Sequence, residues 1–373
     1  MRRTNKILVV ALALIMVLAA ITGCGKKEKT EEKKADEPKT EEKAEEKEEK
    51  AEEKEEKTSD GKKIEIGVLI KGTDSDFWQQ VLVGAYNFGV DHPDVNITEY
   101  GPTSEADSAE QTEILDNLIT TKPDGIAIAP TLMDNCSAGI DNAMSQGIPV
   151  AVIDNKPSTD NYVAMYATDA YAAGGLVAEK FVGELEARGI ALEGFVGLVS
   201  PMAGQDTVMK REAGFIDKLK EIAPDITVGE PQYTDNDIPK SLSTAEDIYT
   251  ANKDTIVGYF AANNATGSGL AGFMTELMAS NPEAAKGIVA VAFDSDQAEV
   301  DAVKAGALYC IAIQNPYEMG YQACQAVYDV ITGAKKVDDF EAFYDTGVSL
   351  VDKENVEDPD MQGIIDPFTL KKY

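Results

Sequence analysis

Histidine is almost absent from this 373-residue chain, with His92 its only copy. Ser-His-Asp catalysis, Cys-His catalysis and multi-histidine metal sites each need an imidazole at the site, so most hydrolase and zinc templates are excluded. Cations are also short: 66 Asp and Glu stand against 34 Lys and Arg, a net charge of −32. A nucleic-acid surface needs clustered Lys and Arg to neutralise phosphates, and none is expected here. There is one tryptophan and there are four cysteines. Cys136, Cys310 and Cys324 form no C-x-x-C pair and are expected as buried thiols without a disulfide framework. His92, in Asp91-His-Pro, is expected in a surface turn. No metal site is expected: Asp235-Asn-Asp237 has the start of a calcium loop but lacks the intervening Gly and the downstream bidentate Glu.

What is present begins with an address. Arg2, Arg3 and Lys6 precede the apolar run Ile7 to Ile21, which is shorter than the roughly 20 residues of a spanning helix and has the layout of a secretory signal, here residues 1–23. The run ends in Ile21-Thr22-Gly23-Cys24, which resembles a bacterial lipobox. That resemblance implies lipidation of Cys24, an anchor on the outer face of the cytoplasmic membrane and an extracytoplasmic location. Stable anchoring takes two or more acyl chains. Residues 24–61 are almost wholly Lys, Glu, Ala and Thr, with AEEKEEK at 44–50 and again at 51–57. With no apolar face to bury, the segment reads as a solvated tether, and charge at every potential seam position excludes a coiled coil.

The remaining residues, 43% apolar over the chain as a whole, are enough for a large core, more economically as two lobes than one. Residues 61–373 carry 20 basic and 50 acidic side chains, with only two arginines, Arg188 and Arg211. Such a body repels anions at long range and favours a neutral or cationic small ligand, although a helix N-terminus could still hold an anion locally.

Hydrophobic periodicity alternates between strand and helix. Strands are expected at 64–71, 95–100, 125–129, 150–153 and 162–167, then at 194–200, 226–233, 256–261 and 287–293. Helices are expected at 76–91, 107–120 and 135–146, then near 172–188, 206–222, 241–252 and 269–279. Two parallel α/β sheets are the economical arrangement. The segments 308–314, 318–331 and 346–350 could continue either sheet. Gly267-Ser-Gly269-Leu-Ala-Gly272 spells a dinucleotide fingerprint, but it starts some six residues beyond its strand, where that motif requires a tight turn directly into the helix. No cofactor and no catalytic residue are expected.

Ligands of open α/β sheets sit beyond the carboxyl ends of the strands, and those exits are polar here. They carry Lys71-Gly-Thr-Asp74-Ser75-Asp76-Phe77-Trp78, Asp154-Asn155-Lys156, Thr168-Asp169, Asn263-Asn264, Asp294-Ser295-Asp296 and Gln314-Asn315-Pro316. Carboxylates and amides make paired hydrogen bonds to hydroxyl groups while Phe and Trp cover the apolar face of a ring, so the set suits a polyhydroxylated ligand.

Seven stretches in order, among them Asp74-Ser-Asp-Phe-Trp-Gln-Gln, Ala167-Thr-Asp169-Ala-Tyr-Ala-Ala-Gly-Gly, Lys210-Arg211-Glu-Ala-Gly-Phe215, Phe260-Ala-Ala-Asn263-Asn and Ile313-Gln314-Asn-Pro-Tyr-Glu-Met-Gly320, resemble the ribose-type sugar-binding proteins of ABC transporters. The resemblance spans roughly 62–350. It implies a type I periplasmic-binding fold: two discontinuous, doubly wound α/β lobes with parallel sheets, residues 62–168 plus 315–343 and 169–314 plus 344–373, crossing near Thr168, Gln314 and Phe343 and closing about a hinge. It further implies that Phe77 and Trp78 stack on a sugar ring, and that Asp154, Arg211, Asn263, Asp294 and Gln314 bond its hydroxyls. Asp74, Asp76, Asn155 and Asp169 complete the candidate set. Ser75 replaces the Asn of ribose binders, with Asp74 or Asp76 as its compensation, and Asn155 replaces an Arg, which puts ribose itself in doubt. The implied partners are a monosaccharide or polyol, an ABC permease and, through Cys24, a membrane; a monomer is expected.

Blander readings stand beside these. Phe77 and Trp78 could be core, Arg211 a surface ion pair, Asp154 and Asp294 helix caps or turns, Asn263 a turn and Gln314 a bridge between lobes. A nucleoside or signalling furanose would suit the same fold. A surface glycosidase would use Asp154 and Asp294 as its carboxylate pair. A receptor signalling to a kinase would have the same sequence features.

Overall fold

The computed structural model describes residues 62–373; the leader, Cys24 and the tether lie outside the described residues. Thirteen strands follow in chain order: β1 Ile64–Leu69, β2 Val95–Tyr100, β3 Gly125–Ile128, β4 Val150–Ile153, β5 Met165–Ala167, β6 Gly194–Ser200, β7 Ile226–Val228, β8 Gln232–Tyr233, β9 Ile256–Ala261, β10 Val289–Phe293, β11 Cys310–Gln314, β12 Phe343–Asp345 and β13 Val348–Asp352. They form two sheets, ordered β12-β5-β4-β3-β1-β2 and β13-β11-β10-β9-β6-β7, with β8 also pairing with β6 in the second. All pairings are parallel except β11 with β13. The central strands, IAI of β3, VAVI of β4 and VAVAF of β10, are apolar without alternation and buried throughout, as strands covered by helices on both faces must be. Each sheet has an apolar cluster on either face.

Two helix pairs set the geometry of the lobes. In the first lobe the Asp76–Asp91 helix lies against Pro316–Ile331 so closely that a Cβ on Gly84 would sit 2.0 Å from the carbonyl oxygen of Tyr317. In the second, Ala170–Arg188 meets Asp206–Ile222, and a Cβ on Gly174 would sit 2.0 Å from the carbonyl oxygen of Arg211. Each contact is a backbone-to-backbone approach that only glycine permits. The second fixes the stretch of helix that carries Arg211.

The ambiguous segments resolve by packing. β11 joins the second sheet, the helix Pro316–Ile331 returns to the first lobe, and β13 ends on the second sheet. The chain thus passes between lobes after β5, after β11 and between β12 and β13. The last passage lies beyond the expected Phe343, because Phe343, Tyr344 and Asp345 pair with Met165, Tyr166 and Ala167 of the first sheet. The end of the chain also departs from the expected assignment of 344–373 to the second lobe. The buried amide of Asn87, in the first lobe, donates to the Leu370 carbonyl (2.8 Å) and accepts from the Lys372 amide (2.9 Å), docking the last residues there. The expected strand 226–233 is two pieces, β7 and β8, broken at Gly229-Glu230-Pro231, where proline has no amide hydrogen for a ladder. The helix expected from 269 begins at Asn264, since Asn263 caps it by accepting from Thr266 N at 3.1 Å.

Gly267 and Gly269 lie inside that helix, packed against Glu299 and Ser241, a setting with no phosphate turn. Cys136, Cys310 and Cys324 are free and buried, and burial pushes the thiols of Cys136 and Cys310 up to about 12. His92 is half-buried at the end of the Asp76–Asp91 helix, its ring 4.0 Å from that of Phe88.

Candidate functional site

The carboxyl ends of both sheets face a common cavity, tightly closed, with about 30 Å³ of free volume. The first lobe supplies Lys71 after β1, Phe77 and Trp78 from the next helix, Glu105 after β2 and Asp154 after β4. The second supplies Gln205, Thr207, Val208 and Arg211 beyond β6, Asn263 and Asn264 beyond β9, Asp294 beyond β10 and Gln314 at the end of β11.

Two aspartates occupy equivalent places in the two lobes. Asp154 and Asp294 each follow a central strand with φ of 61° and 81°. The left-handed region is uncommon for a residue with a side chain and is tolerated best by Asn and Asp among such residues. Strain of this kind collects at functional sites. Asp154 accepts from Lys71 Nζ at 2.7 Å, with both side chains buried. The same ammonium lies 5.0 Å from the centre of the Trp78 ring, close enough for a cation–π contact. Asp294 accepts from Gln314 Nε2 at 2.9 Å and from the Asn264 amide at 3.0 Å.

Arg211, 2% exposed, lies with its guanidinium 4.0 Å from the centre of the Phe293 ring and donates Nη1 to the Ala262 carbonyl. Burial lowers its pKa, opposed by the charges of Asp294 and Asp154; burial raises that of Asp294, opposed by Arg211. Arg211 Nε and Gln314 Oε1 are buried without a partner. An unpaired buried donor or acceptor costs about 1–3 kcal/mol, so with Gln205 Nε2, also without a partner, this wall has two free donors and one free acceptor to offer a polar ligand.

Phe77 and Trp78 meet at 81° with ring centres 4.8 Å apart. They form a corner in which one ring can cover a ligand face while the other meets its edge, so both do not stack on the same face as expected. Asn263 lines the cavity, but its oxygen caps the following helix and its nitrogen donates to Asn236 Oδ1 at 2.7 Å. The cap and the cavity position coexist in this residue.

The other expected site residues lie outside the lining. Asp74 and Asp76 are exposed, and Asp76 starts its helix. Asp169 is an exposed helix cap, accepting from Ala172 N at 3.0 Å. Asn155 is buried but turns toward the lobe boundary, accepting from Thr207 N at 3.1 Å and donating to the Thr131 carbonyl at 3.3 Å. Ser75 likewise sits at the boundary, bonded to Asn264 Nδ2 at 3.0 Å. With Thr207 Oγ1 donating to the Asp154 carbonyl at 2.7 Å, these bonds join the two lobes in a closed arrangement. Lys71, Glu105, Gln205, Thr207, Val208 and Asn264 are additional to the expected set. Lys71 and Asn264 lie in strand exits whose polarity the sequence already displays. Glu105 and Gln205 lie five residues beyond β2 and β6; the exit of β2, Gly-Pro-Thr-Ser-Glu, is polar, whereas that of β6, Pro-Met-Ala-Gly-Gln, carries no such signal.

A larger groove of about 510 Å³ on the second lobe is lined by Arg188, Lys286 and Met278. Its cations are paired with Glu184 and Glu283, and none of the unpartnered buried side-chain atoms among the described residues lines it. The cavity between the lobes is therefore the candidate site.

Beside the cavity, Asp296 accepts from Ser268 Oγ at 3.3 Å. Burial first, then the charges of Asp294 and Asp76, push its carboxyl up to about 6. The unfolded value is about 3.9, so the native state binds this proton more tightly. Its contribution to stability is therefore gained as pH falls from 7 through 6 and is complete below about 4. Unfolding free energies from urea titrations at pH 7 and pH 5 are expected to show an acid-side gain of about 1.3 kcal/mol that Asp296→Asn loses; equal pH dependence in the two proteins would refute it.

Comparison with known proteins agrees with this geometry. Residues 66–335 match the periplasmic binding protein domain family. The ribose import binding protein RbsB of Bacillus subtilis is 25% identical over 232 residues, covering 62% of this chain and 71% of the relative. A carbohydrate transporter solute-binding protein from Agrobacterium radiobacter, solved with D-arabinose, is 30% identical with a TM-score of 0.76, over 82% of this chain and 100% of that one. An ABC transporter solute-binding protein from Agrobacterium vitis, solved with D-fucose, is 30% identical with a TM-score of 0.73, over 81% of this chain and 99% of that one. The chain belongs to the periplasmic binding protein family, among its ribose-type sugar-binding members.

Proposed function

We propose that this protein is the lipid-anchored solute receptor of an ABC transporter, capturing a monosaccharide or related polyol between its lobes and presenting the closed form to a permease. The observation that carries the reading is the cavity wall around Arg211. There a buried guanidinium with a free Nε, a buried Gln314 with a free Oε1 and two left-handed aspartates converge on one small space. Hydroxyl groups, each donor and acceptor, are the ligand chemistry that satisfies such a wall. Phe77, Trp78, Asp154, Arg211, Asp294 and Gln314 are the residues assigned to ligand contact. D-arabinose and D-fucose, bound by the relatives from Agrobacterium radiobacter and Agrobacterium vitis, are the first sugars to try.

No reaction is assigned to the site. Asp154 is paired with Lys71, and Asp294 with Gln314 and the Asn264 amide, an arrangement suited to holding hydroxyls. Simple glycosides are expected to be left intact. Anchoring rests on Cys24 and its preceding Ile-Thr-Gly; metabolic labelling with a fatty acid is expected to mark the protein and to fail in Cys24→Ala.

The test of the ligand class is a thermal-unfolding panel of pentoses, hexoses, inositols and nucleosides on protein refolded to remove carried-over ligand. Binding to the native state alone stabilises by about 2.7 kcal/mol at a hundredfold excess over Kd. A shift with one sugar or polyol is the expected result. A shift confined to nucleosides would replace the sugar by a nucleoside, and no shift at all would refute the ligand assignment.

A further inference from the structure

We propose that Glu105 is a positioning residue that couples the aromatic wall of the cavity to closure of the lobes. One of its carboxylate oxygens holds the Trp78 indole in the first lobe, and the other receives a bond from Asn236 in the second. The inference takes its ligand from the sugar-receptor reading above, but its geometry stands without it.

Glu105 lies in the loop after β2 and is 5% exposed. Trp78 Nε1 donates to Oε1, and Asn236 Nδ2 donates to Oε2 at 3.1 Å. The oxygen of Asn236 accepts from Asn263 Nδ2 at 2.7 Å, and Asn263 caps the helix that begins at the cavity. The bonds therefore run from the aromatic corner through Glu105 and Asn236 to the far wall. Asn236 is held in the left-handed region, with φ of 58°, and its amide reaches back across the cleft to Glu105. Burying a carboxyl is costly, and burial raises the pKa of Glu105. The charge of Lys71 and the bond from Trp78 oppose that cost, and the bond from Asn236 is the one that reaches the other lobe.

When the lobes part, Glu105 keeps Trp78 and loses Asn236. Closure thus completes a network that ends on the ring facing the ligand, whereas the contacts of Thr207 with Asp154 and of Asn264 with Ser75 do not touch the aromatic pair. The polarity is specific: the first lobe presents an acceptor to both neighbours, and Asn236 must donate to it while accepting from Asn263. In Glu105→Gln the new amide oxygen could still accept from Trp78, but the amide nitrogen would face that of Asn236. Adding Asn236→Asp turns that clash into a bond, because the introduced amide would donate to one carboxylate oxygen while Asn263 donates to the other. The network would then be restored with its polarity reversed.

Trp78 is the only tryptophan in the chain, so its emission reports the network directly. Four proteins are compared, wild type, Glu105→Gln, Asn236→Asp and the double variant, by D-arabinose and D-fucose titration and by acrylamide quenching without sugar. Each single change is expected to weaken sugar binding roughly tenfold, the loss of a hydrogen bond to a charged group, and to raise quenching. The double variant is expected to return to within about threefold of wild type, where independent effects would multiply to roughly a hundredfold. A double variant no better than the product of the singles, or a Glu105→Gln protein that binds and quenches as wild type, overturns the proposal. If neither sugar moves the wild-type emission, the receptor reading fails for those sugars and ligand-free quenching alone decides. Increases in both singles that the double reverses sustain the coupling, and equal quenching in all four overturns it.

Discussion

Arg211→Ala is expected to weaken sugar binding by about 100-fold or more in calorimetric titration, while the protein remains folded. A hydrogen bond to a charged group contributes about 1.5–3 kcal/mol, and the loss of one or two such bonds to the ligand corresponds to a weakening of that size. Asp294 would keep its bonds from Gln314 and the Asn264 amide but lose the positive charge that opposes the effect of its burial. The variant also removes the free Nε and empties the space beside Phe293. Arg211→Lys is expected to recover little. A lysine has neither the planar fork that can serve two acceptors at once nor the flat face that lies on Phe293. Binding by Arg211→Ala within threefold of wild type would remove the arginine from the site.

Asp154→Asn is expected to lower stability by about 3 kcal/mol in urea denaturation, because Lys71 would lose its directly bonded counter-charge and keep the charge of Glu105 alone nearby. Asparagine is the right probe because the residue sits at φ 61°, where alanine would add backbone strain to the loss of charge. Adding Lys71→Met to Asp154→Asn removes the ammonium as well. Stability is then expected to return to within about 1 kcal/mol of wild type, since a buried ion pair replaced by apolar volume is often neutral. Sugar binding is expected to stay lost in both proteins. This split between recovered stability and unrecovered binding separates a ligand-contacting pair from a structural one. Recovery of both in the double variant would make the pair structural only.

The site is partly legible in the sequence because half of its logic is local. A parallel strand announces itself by a short buried run, and the residue after its end is near the ligand by topology alone; Asp154, Asp294 and Gln314 are reached that way. The same rule extended to the exits of β2 and β6 leads to Glu105 and Gln205. It cannot separate Asp154 from its neighbour Asn155, because a left-handed backbone turns consecutive side chains to different surroundings, one to the cavity and one to the lobe boundary. Nor does it tell that Asp74, Asp76 and Asp169 remain in water: charge at a helix start has the same pattern whether it caps, solvates or binds.

By itself the sequence determined the α/β class and the positions of most strands and helices. These are properties of composition and of periods of 2 and 3.6 residues, which neighbouring side chains set among themselves. Only the tertiary structure decided which sheet receives β11, β12 and β13, that the last residues return to Asn87, and that Lys71, Glu105 and Arg211 share one cavity with Asp154 and Asp294. Those choices depend on contacts between residues tens to hundreds of positions apart. An apolar strand pairs equally well, as far as its own sequence goes, with either sheet. A charged side chain becomes part of a site only when burial removes the water that would otherwise satisfy it.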